Sequence, residues 1–496
     1  MTDLPNSHAK ILFRADGNAA IGSGHLRRCL TLAIELRERG HDCLFVCSHA
    51  PQSFNGLVSA AGFTIFELPS AGNFTEASDA KLVMEAVASH APLNVVVVDH
   101  YQLGRAWEQA LRAFASTVVV IDDLADRHHD CDFLIDVAPG ACDRYNALVP
   151  ELCRKLLGTN FALLRPEFRE LRSTRRISHE PLARIFVSFG GVDAANFTAL
   201  TVAAVRRALP NVMINAVVTA MSPHREALER QAADDDSLQI DVDAQNMAEL
   251  MMASDLAIGA GGSTSWERAC LGLPSIVVPV AENQLQTVCA LGSLGCAVTV
   301  APSPQFVSDT SRIISILSAS PALRQSMSSA ASSSVDGRGA IRIASAILPT
   351  KITLRPVNEH DSRSIWEWRN AQEIRSTAID SAEIKWDNHC IWFTDRISDP
   401  DTVMLIAEDA RSGVGVIRYD LDGAEANVSI FLAPGNSGRG LGSMILRDGE
   451  QWVMTRHPQI KRFRASIRPG NAASIALFEA ANYGAKLISY ERRIDG

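Results

Sequence analysis

Short β-branched runs alternate with amphipathic stretches over the first two thirds of the chain, and the alternation starts over once. "KILFRAD" (10–16), "DCLFVCS" (42–48), "NVVVVDH" (94–100) and "STVVVIDD" (116–123) are strand-length, with helical patterns such as "LRRCLTLAIELRERG" (26–40) between them. Runs this apolar, spaced by helices, fit βαβ units whose parallel sheet is covered on both faces. A charged stretch ending in proline, "LLRPEFRELRSTRRISHEP" (163–181), reads as a linker. After it come "ARIFVSFGG" (183–191), "NVMINAVVT" (211–219), "LAIGAGG" (256–262), "PSIVVPV" (274–280) and "AVTV" (297–300) at the same spacing. The expected fold is α/β, with two Rossmann-like domains over residues 9–165 and 166–348 and a cleft between them. Ligands of such domains bind at the carboxyl ends of the strands.

A second change falls in "ASSSVDGRGAIRIASAILPTKITLRPV" (331–357), where "ITLRPV" reads as a fresh edge strand. The alternation in "TVMLIAED", "GVGVIRYD" and "EANVSIFLAP" is hairpin-like, which predicts an α+β third domain over 350–496.

The net charge of −9 over 496 residues argues against nonspecific nucleic-acid binding. The longest apolar runs, "LNVVVVDH" and "LPSIVVPVA", are too short to span a bilayer, and "MTDLPNSHAK" lacks the apolar core of a signal peptide. Ten cysteines occur without a CxxC pair. A cytoplasmic protein with reduced thiols and no nucleic-acid or membrane partner is expected. The histidine spacings fit no HxxxH site, so no metal is expected.

The opening "FRADGNAAIGSGHLRRCLTLA" (13–33) reads as strand, glycine turn and helix. Gly22 and Gly24 permit a tight turn and close approach of a ligand, and the helix start offers unpaired N–H groups to an anion. His25 follows directly, and histidine is the side chain best suited to move a proton at neutral pH. A dinucleotide fingerprint would need a third glycine where Arg27 stands. Two readings are open: a catalytic histidine, or a packed turn with a satisfied one. Asp99, His100 and Tyr101 end one strand, Asp122 and Asp123 another, and such positions either line the cleft or cap helices.

In the second half, Gly190 and Gly191 form a turn, and Asn196 is a cleft residue or a cap. Gly261, Gly262, Ser263 and Thr264 can offer backbone and hydroxyl donors to a diphosphate. Glu267 is placed to accept from ribose hydroxyls, or is simply an acid favoured at a helix N-terminus. Gln284 and Gln286 follow the next strand, where a sugar or phosphate contact would fall.

In the third region, "LAPGNSGRGLGSMIL" (432–446) follows a strand and opens a helix. The amides of Gly438, Arg439, Gly440, Leu441 and Gly442 could wrap a pyrophosphate there. "IRPGNAASIALFEAANYGAKLI" (467–488) comes next, after another strand.

Several of these motifs carry a resemblance. The opening loop, "VVVDHY" (96–101), "VVIDDLADR" (119–127), "LLGTNFALLRPEF", "FVSFGGVDAANFT" (186–198) and "DGRGAIRIA" (336–344) resemble the UDP-2,4-diacetamido-2,4,6-trideoxy-β-L-altropyranose hydrolases of pseudaminic acid biosynthesis, in order, over roughly residues 9–348. That family has the GT-B arrangement of two Rossmann-like domains. The resemblance implies hydrolysis at C1 with loss of UDP, with the catalytic role on His25; Asp99 is a second catalytic candidate. The UDP-sugar site would comprise Arg14, Gly22, Gly24, Arg28, His100, Tyr101, Gly190, Gly191, Asn196, Gly261, Gly262, Ser263, Thr264, Glu267 and Gln284. Residues 350–496 resemble the GNAT-fold N-acetyltransferases, through "LRPVNEHD", "WEWRNAQEIR" and the glycine loop. This implies acetyl-CoA as co-substrate, held by Phe431, Leu432, Gly438, Arg439, Gly440, Gly442, Ser443 and Asn471. Two departures stand out: Ser437 at the head of the loop, and Phe478 where a thiolate-protonating tyrosine is usual. Tyr483 is the substitute, or else a core aromatic. Trp366, Trp368 and Trp392 are packing or sugar-stacking groups, and Arg369 and Asn370 candidate substrate contacts.

Together the resemblances imply a bifunctional enzyme that acetylates a UDP-4-amino sugar and then removes UDP. Two alternatives remain open: a GT-B glycosyltransferase using a UDP-amino sugar and an alcohol acceptor, and a degenerate acetyl-CoA sensor at the C-terminus.

Overall fold

The computed structural model describes residues 8–17, 24–49, 52–69, 74–138, 140, 143–172, 181–349, 351–409 and 412–485. It divides into two compact units, Met1–Ile347 and Leu348–Gly496.

The first unit holds two parallel sheets. The first contains β1 (Lys10–Ala15), β2 (Asp42–Cys47), β3 (Thr64–Glu67), β4 (Leu93–Asp99), β5 (Ala115–Ile121), β6 (Phe133–Asp136) and β7 (Arg154–Leu157), in the order β3-β2-β1-β4-β5-β6-β7. The second contains β8 (Arg184–Ser188), β9 (Met213–Val218), β10 (Leu238–Val242), β11 (Leu256–Ala260), β12 (Ser275–Val278) and β13 (Ala297–Thr299), ordered β10-β9-β8-β11-β12-β13. Val96, Val97, Val118 and Val119 are fully buried, as are Phe186, Val187, Ile258 and Ile276. Burial on both faces explains why these strands read as continuous apolar runs.

Each sheet reverses its strand order once, between β1 and β4 and between β8 and β11. The crevice outside the carboxyl ends at such a reversal is where open α/β sheets take their ligands. Ala15 pairs with Asp99, which brings Asp16 level with His100. Gly259 pairs with Ser188, so the glycine turns that follow β8 and β11 leave the sheet side by side.

Helix Gly339–Ile347 follows the second sheet in sequence but packs on helix Gly24–Glu38 of the first. Arg39, just past that first helix, donates through Nη1 to Ser345 Oγ (2.9 Å) and through Nη2 to the Ile341 carbonyl (2.8 Å). The "DGRGA" motif serves this return. Arg342 binds Asp336 (2.7 Å) and the Asn160 carbonyl (2.9 Å). A Cβ on Gly339 would lie 2.1 Å from the Ala162 carbonyl oxygen.

The second unit is a five-stranded sheet of β14 (Thr353–Pro356), β15 (Thr402–Glu408), β16 (Gly413–Asp422), β17 (Glu425–Leu432) and β18 (Arg462–Ala465), paired in that order. The first three pairings are antiparallel and the last is parallel. "ITLRPV" is the edge strand, as its sequence predicts. Helix Leu441–Arg456 packs on β16 and β17. Strands β3, β6, β7 and β10 were not legible in the sequence; each is five residues or fewer and lies toward a sheet edge.

Replacing Gly339 by alanine should force the returning helix off Ala162. The expected outcome is a loss of about 1–3 kcal/mol, the usual cost of overpacking, read as a lower urea midpoint.

Candidate active site

Helix Gly24–Glu38 starts where β1 and β4 end, and it delivers His25 to the end of β4. His25 is 4% exposed. Its Nδ1–H donates to Asp99 Oδ1, which fixes the ring and leaves Nε2 as the proton-accepting nitrogen. Among the described residues none hydrogen-bonds Nε2. Arg28, one turn along, brackets the same carboxylate with Nε and Nη2, the latter 2.6 Å from Oδ1. Its Nη1 reaches Asp123 Oδ2 at 3.1 Å. Burial alone would push the Asp99 carboxyl up; the Arg28 guanidinium and the hydrogen bonds from Arg28 and His25 hold it well below the usual range. Arg28 shows the mirror image: burial works against its charge, and Asp99 and Asp123 hold it firmly protonated. Tyr101 sets its ring edge-on to His25, centroids 4.5 Å apart. Its hydroxyl accepts from Asn283 Nδ2 at 3.1 Å, which links the two halves. Burial, reinforced by Asp123, pushes that hydroxyl up to about 12.

The second half faces this group. A Cβ on Gly24 would lie 3.9 Å from Ser263 Oγ, so the start of helix Gly24–Glu38 stands against the turn after β11. Gly261 is required there, because a Cβ would meet Val288 Cγ2 at 2.4 Å. Gln284 Oε1 accepts from the Gly261 amide (3.1 Å) and the Val280 amide (3.2 Å), tying together the turns after β11 and β12. Gly262 and the N-cap Ser263 then lead into helix Thr264–Cys270. Glu267, on that helix, lies 3.7 Å from Arg165 Nη2. Burial raises its carboxyl, with Arg165 and Arg27 opposing. After β8, Gly190 and Gly191 adopt φ of 63° and 40°, a backbone suited to glycine, and both are exposed.

Several expected site residues have other work. Arg14 is fully buried: it donates to Asp79 at 2.7 Å, to Asp16 at 2.7 Å and to Ser48 Oγ at 2.9 Å. It is a structural hub beneath the crevice and offers a ligand no face. His100 turns onto the same hub, Nε2–H donating to Asp16 Oδ2 (3.2 Å) and Nδ1 accepting from the Gln102 amide (3.1 Å). Both ring nitrogens are thereby occupied. Asn196 is the cap of helix Phe197–Ala208, accepting from the Ala199 amide at 3.4 Å. Asp122 is taken up by Arg127 (3.0 Å) and by the Tyr145 hydroxyl (3.0 Å). Gly22 lies outside the described residues. Sequence reasoning missed Asn283 and Arg165, whose roles arise only when the halves meet, and noted Arg27 merely as an absent glycine.

In the second unit, β18 pairs with β17 over Glu425–Val428. Among the described residues no strand pairs with Ser429–Leu432 on the β18 side, and Phe431 and Leu432 are half-buried. The loop after β17 turns at Gly438 (φ 84°) and Gly440 (φ 75°), and Gly440 precedes helix Leu441–Arg456. Nothing lies within 4 Å of a Cβ placed on Gly440, so its surroundings are open. Gly442 and Ser443 form the first turn. The start of a long helix after such a turn offers free amides to an anion. Arg439 turns to Asn436 Oδ1 (2.6 Å), with Asp409 4.0 Å away.

Asn471 is committed at both ends: Oδ1 accepts from the Ser474 amide (3.0 Å), and Nδ2 donates to the Thr377 carbonyl (3.1 Å). Tyr483 donates its hydroxyl to Glu450 Oε1 at 2.5 Å, beside Phe478. Burial and Glu450 push that hydroxyl well above its usual range, so it is a poor acid for a thiolate. Trp366 packs on Trp386 (5.3 Å) and donates to the Ile384 carbonyl (2.7 Å), and Asn370 exchanges hydrogen bonds with the Ile384 backbone (2.9 Å). These groups build the fold. No helix among the described residues is long and apolar enough to cross a membrane.

These two units define a GT-B module followed by a GNAT acetyltransferase domain. Residues 185–303 match the glycosyltransferase family 28 C-terminal domain, and residues 351–483 match the acetyltransferase (GNAT) domain. Among solved structures, the chain is similar to MurG of Acinetobacter baumannii, at 18% identity and a TM-score of 0.50, over 68% of this chain and 99% of that one. Among curated proteins, it is 26% identical to the UDP-2,4-diacetamido-2,4,6-trideoxy-beta-L-altropyranose hydrolase of Campylobacter jejuni, over 58% of this chain and 98% of that one. An uncharacterized protein of Methanocaldococcus jannaschii is 23% identical over 96% of both chains. The chain is thus a homologue of that hydrolase fused to a GNAT domain.

Replacing Arg14 by methionine strands two buried carboxylates, Asp16 and Asp79. The expected loss at neutral pH is about 3–5 kcal/mol in urea denaturation. Asp16 sits well below its usual range despite burial, through His100 and Arg14, so its contribution is present above about pH 4 and lost as pH falls further. The penalty should therefore shrink in acid.

Proposed function

We propose that this chain is a bifunctional nucleotide-sugar enzyme. Its GNAT domain transfers acetyl from acetyl-CoA to the 4-amino group of a UDP-4-amino-4,6-dideoxy sugar. Its GT-B module then hydrolyses UDP-2,4-diacetamido-2,4,6-trideoxy-β-L-altropyranose at C1, releasing UDP. The order is the one the resemblance to the pseudaminic acid hydrolases implies. The observation that carries the reading is the His25–Asp99 pair at the reversal between β1 and β4, set against the Ser263 turn.

In this reading the uracil nucleotide lies along the second half. Amides of Gly262, Ser263 and Thr264 receive the diphosphate, and Glu267 accepts from the ribose hydroxyls. The sugar projects toward His25. His25 Nε2 takes a proton from water as the water oxygen bonds to C1. The C1–O bond to UDP breaks, and its electron pair leaves with the diphosphate, whose growing charge the turn amides offset. Asp99 orients the imidazole and stabilises the imidazolium. Tyr101, edge-on to His25, limits where the water can sit.

In the second unit, Phe431 and Leu432 would flank the pantetheine arm, while Gly438, Gly440, Gly442 and Ser443 would receive the pyrophosphate. Acetyl-CoA supplies the activated acyl group. The amine nitrogen bonds to the acetyl carbon, the thioester C–S bond breaks, and the proton that the nitrogen gives up balances the one that the thiolate takes to leave as free CoA.

The match of residues 185–303 to a glycosyltransferase domain favours one competitor, transfer of the sugar to an alcohol. A phosphorus and proton NMR time course with the UDP-4-amino sugar and acetyl-CoA separates the readings. Wild type should give the acetylated UDP-sugar and then free UDP and free sugar without added alcohol. His25→Ala should stop at the acetylated UDP-sugar, its hydrolysis slowed by about 100-fold or more. UDP release at the wild-type rate from His25→Ala would return the histidine to a structural role. UDP release only with an alcohol present would establish the transferase.

Tyr483→Phe should acetylate at near the wild-type rate and unfold at lower temperature, because it loses only the bond to Glu450. A large fall in acetylation with unchanged stability would restore Tyr483 as the proton donor.

A further inference from the structure

Strands β6 and β7 run side by side at one edge of the first sheet, with Phe133 opposite Arg154. A cysteine stands just ahead of each pairing. Cys131 Sγ and Cys153 Sγ lie 3.6 Å apart and share a hydrogen bond. Other described cysteines face different groups. Cys29 Sγ lies 3.9 Å from Asp99 Oδ2, Cys43 and Cys270 donate to the Ala33 and Phe168 carbonyls (3.7 and 3.8 Å), and Cys296 Sγ lies 3.4 Å from Ser334 Oγ.

Exposure separates the two thiols. Cys131 is 1% exposed, whereas Cys153 is 8% exposed and follows Leu152, whose side chain stands out into solvent. Cys153 also leads into β7, the outermost strand, which is paired on one side only. Strand ends of this kind open most readily. The thiolate is the nucleophile of thiol–disulfide exchange. The hydrogen bond with Cys131, helped by Lys155, holds the Cys153 thiol below its usual value against burial and Asp132. The same bond, together with burial, pushes Cys131 well above its own.

We propose that Cys131 and Cys153 are a redox modification site: Cys153 attacks a low-molecular-weight disulfide, and Cys131 resolves the adduct to an internal disulfide. In the first step the Cys153 sulfur bonds to one sulfur of the reagent. The reagent's S–S bond breaks, and its other half leaves as a thiol carrying the Cys153 proton. In the second step Cys131 gives up its proton, its sulfur bonds to Cys153 Sγ, and the second half of the reagent leaves as a thiol. Two protein thiols are oxidised, and one reagent disulfide is reduced to two thiols. The protein sulfurs need to approach by only about 1.5 Å to bond.

The bond closes a covalent loop over residues 131–153. Within it, Arg144 Nη1 lies 3.1 Å from Asp136 Oδ2, and Nη2 donates to the Asp123 and Leu124 carbonyls (3.1 and 2.8 Å). Tyr145 donates its hydroxyl to Asp122 Oδ2 at 3.0 Å. Oxidation therefore ties down, from the sheet edge, the segment that braces the end of β5. Closing the loop also restricts the unfolded chain, which favours the folded one.

The test is incubation of the full chain with hydroxyethyl disulfide in native buffer, then acid quench, alkylation with N-ethylmaleimide in urea and peptide mapping by mass spectrometry. The expected product lacks two hydrogens, carries a cross-link between the Cys131 and Cys153 peptides, and reverts with dithiothreitol. The oxidised chain should unfold at a higher urea midpoint than the reduced one. Cys131→Ser should accumulate a mixed disulfide on Cys153, and Cys153→Ser should leave Cys131 unmodified. The wild-type map needs no variant, so it decides the pairing even where a buried serine prevents folding. Recovery of both cysteines as alkylated thiols would overturn the proposal. So would a lasting adduct on Cys153 of wild type, or a cross-link to Cys142 or Cys289 instead. A lower urea midpoint after oxidation would overturn the bracing role.

Discussion

The first unit is organised around one buried carboxylate. Asp99 is completely enclosed at the end of β4 and holds its charge because Arg28 and His25 close on it from helix Gly24–Glu38. An isolated buried carboxylate would be very costly, so the helix must bring both partners into place. That requirement fixes how the helix sits over the sheet, and so where His25 Nε2 points. Arg28 extends the arrangement to Asp123. Arg144 holds the Asp123 carbonyl at 3.1 Å and Asp136 at 3.1 Å, carrying the network across β5 and β6. The histidine's geometry is therefore set by several strands rather than by its own turn.

A second buried network, Arg14 with Asp16 and Asp79, underlies the crevice. It pins helix Glu76–Ala86 to β1, and Trp107 Nε1 donates to Asp79 at 2.8 Å from the neighbouring helix. Above this floor Tyr101 packs edge-on to His25, and Gly24 stands against Ser263 of the second half. The glycines of the second half serve the same end. Gly261 admits Val288 beneath the turn, and Gln284 staples it to β12, so that the amides above are held in a fixed direction.

The strand-and-helix alternation was legible because both sheets are buried on both faces, which writes apolar runs into the sequence. That Asp99 ends a strand was legible for the same reason; its bond to His25, 74 positions away on a helix, was not. Arg14 was misread because a strand residue shows nothing in sequence of a partner on a helix 65 positions away. His100 and Asn471 were misread similarly, since donors and acceptors that serve the fold have the same composition as those that serve a ligand. The return of helix Gly339–Ile347 to the first half spans about 300 residues, as in the bond from Arg39 to Ser345, and has no local signal. Asn196 could be a cap or a cleft residue by sequence; its left-handed backbone (φ 56°) and its bond to Ala199 make it a cap.

The central claim is that water bonds to C1 of the sugar, with His25 taking its proton. The most direct measurement is hydrolysis of the acetylated UDP-sugar in ¹⁸O-water, with both products weighed by mass spectrometry. Attack at C1 places the heavy oxygen on the anomeric hydroxyl of the released sugar and leaves UDP unlabelled. Heavy oxygen in the terminal phosphate of UDP would mean that the bond to phosphorus breaks instead, and would contradict the role given to His25.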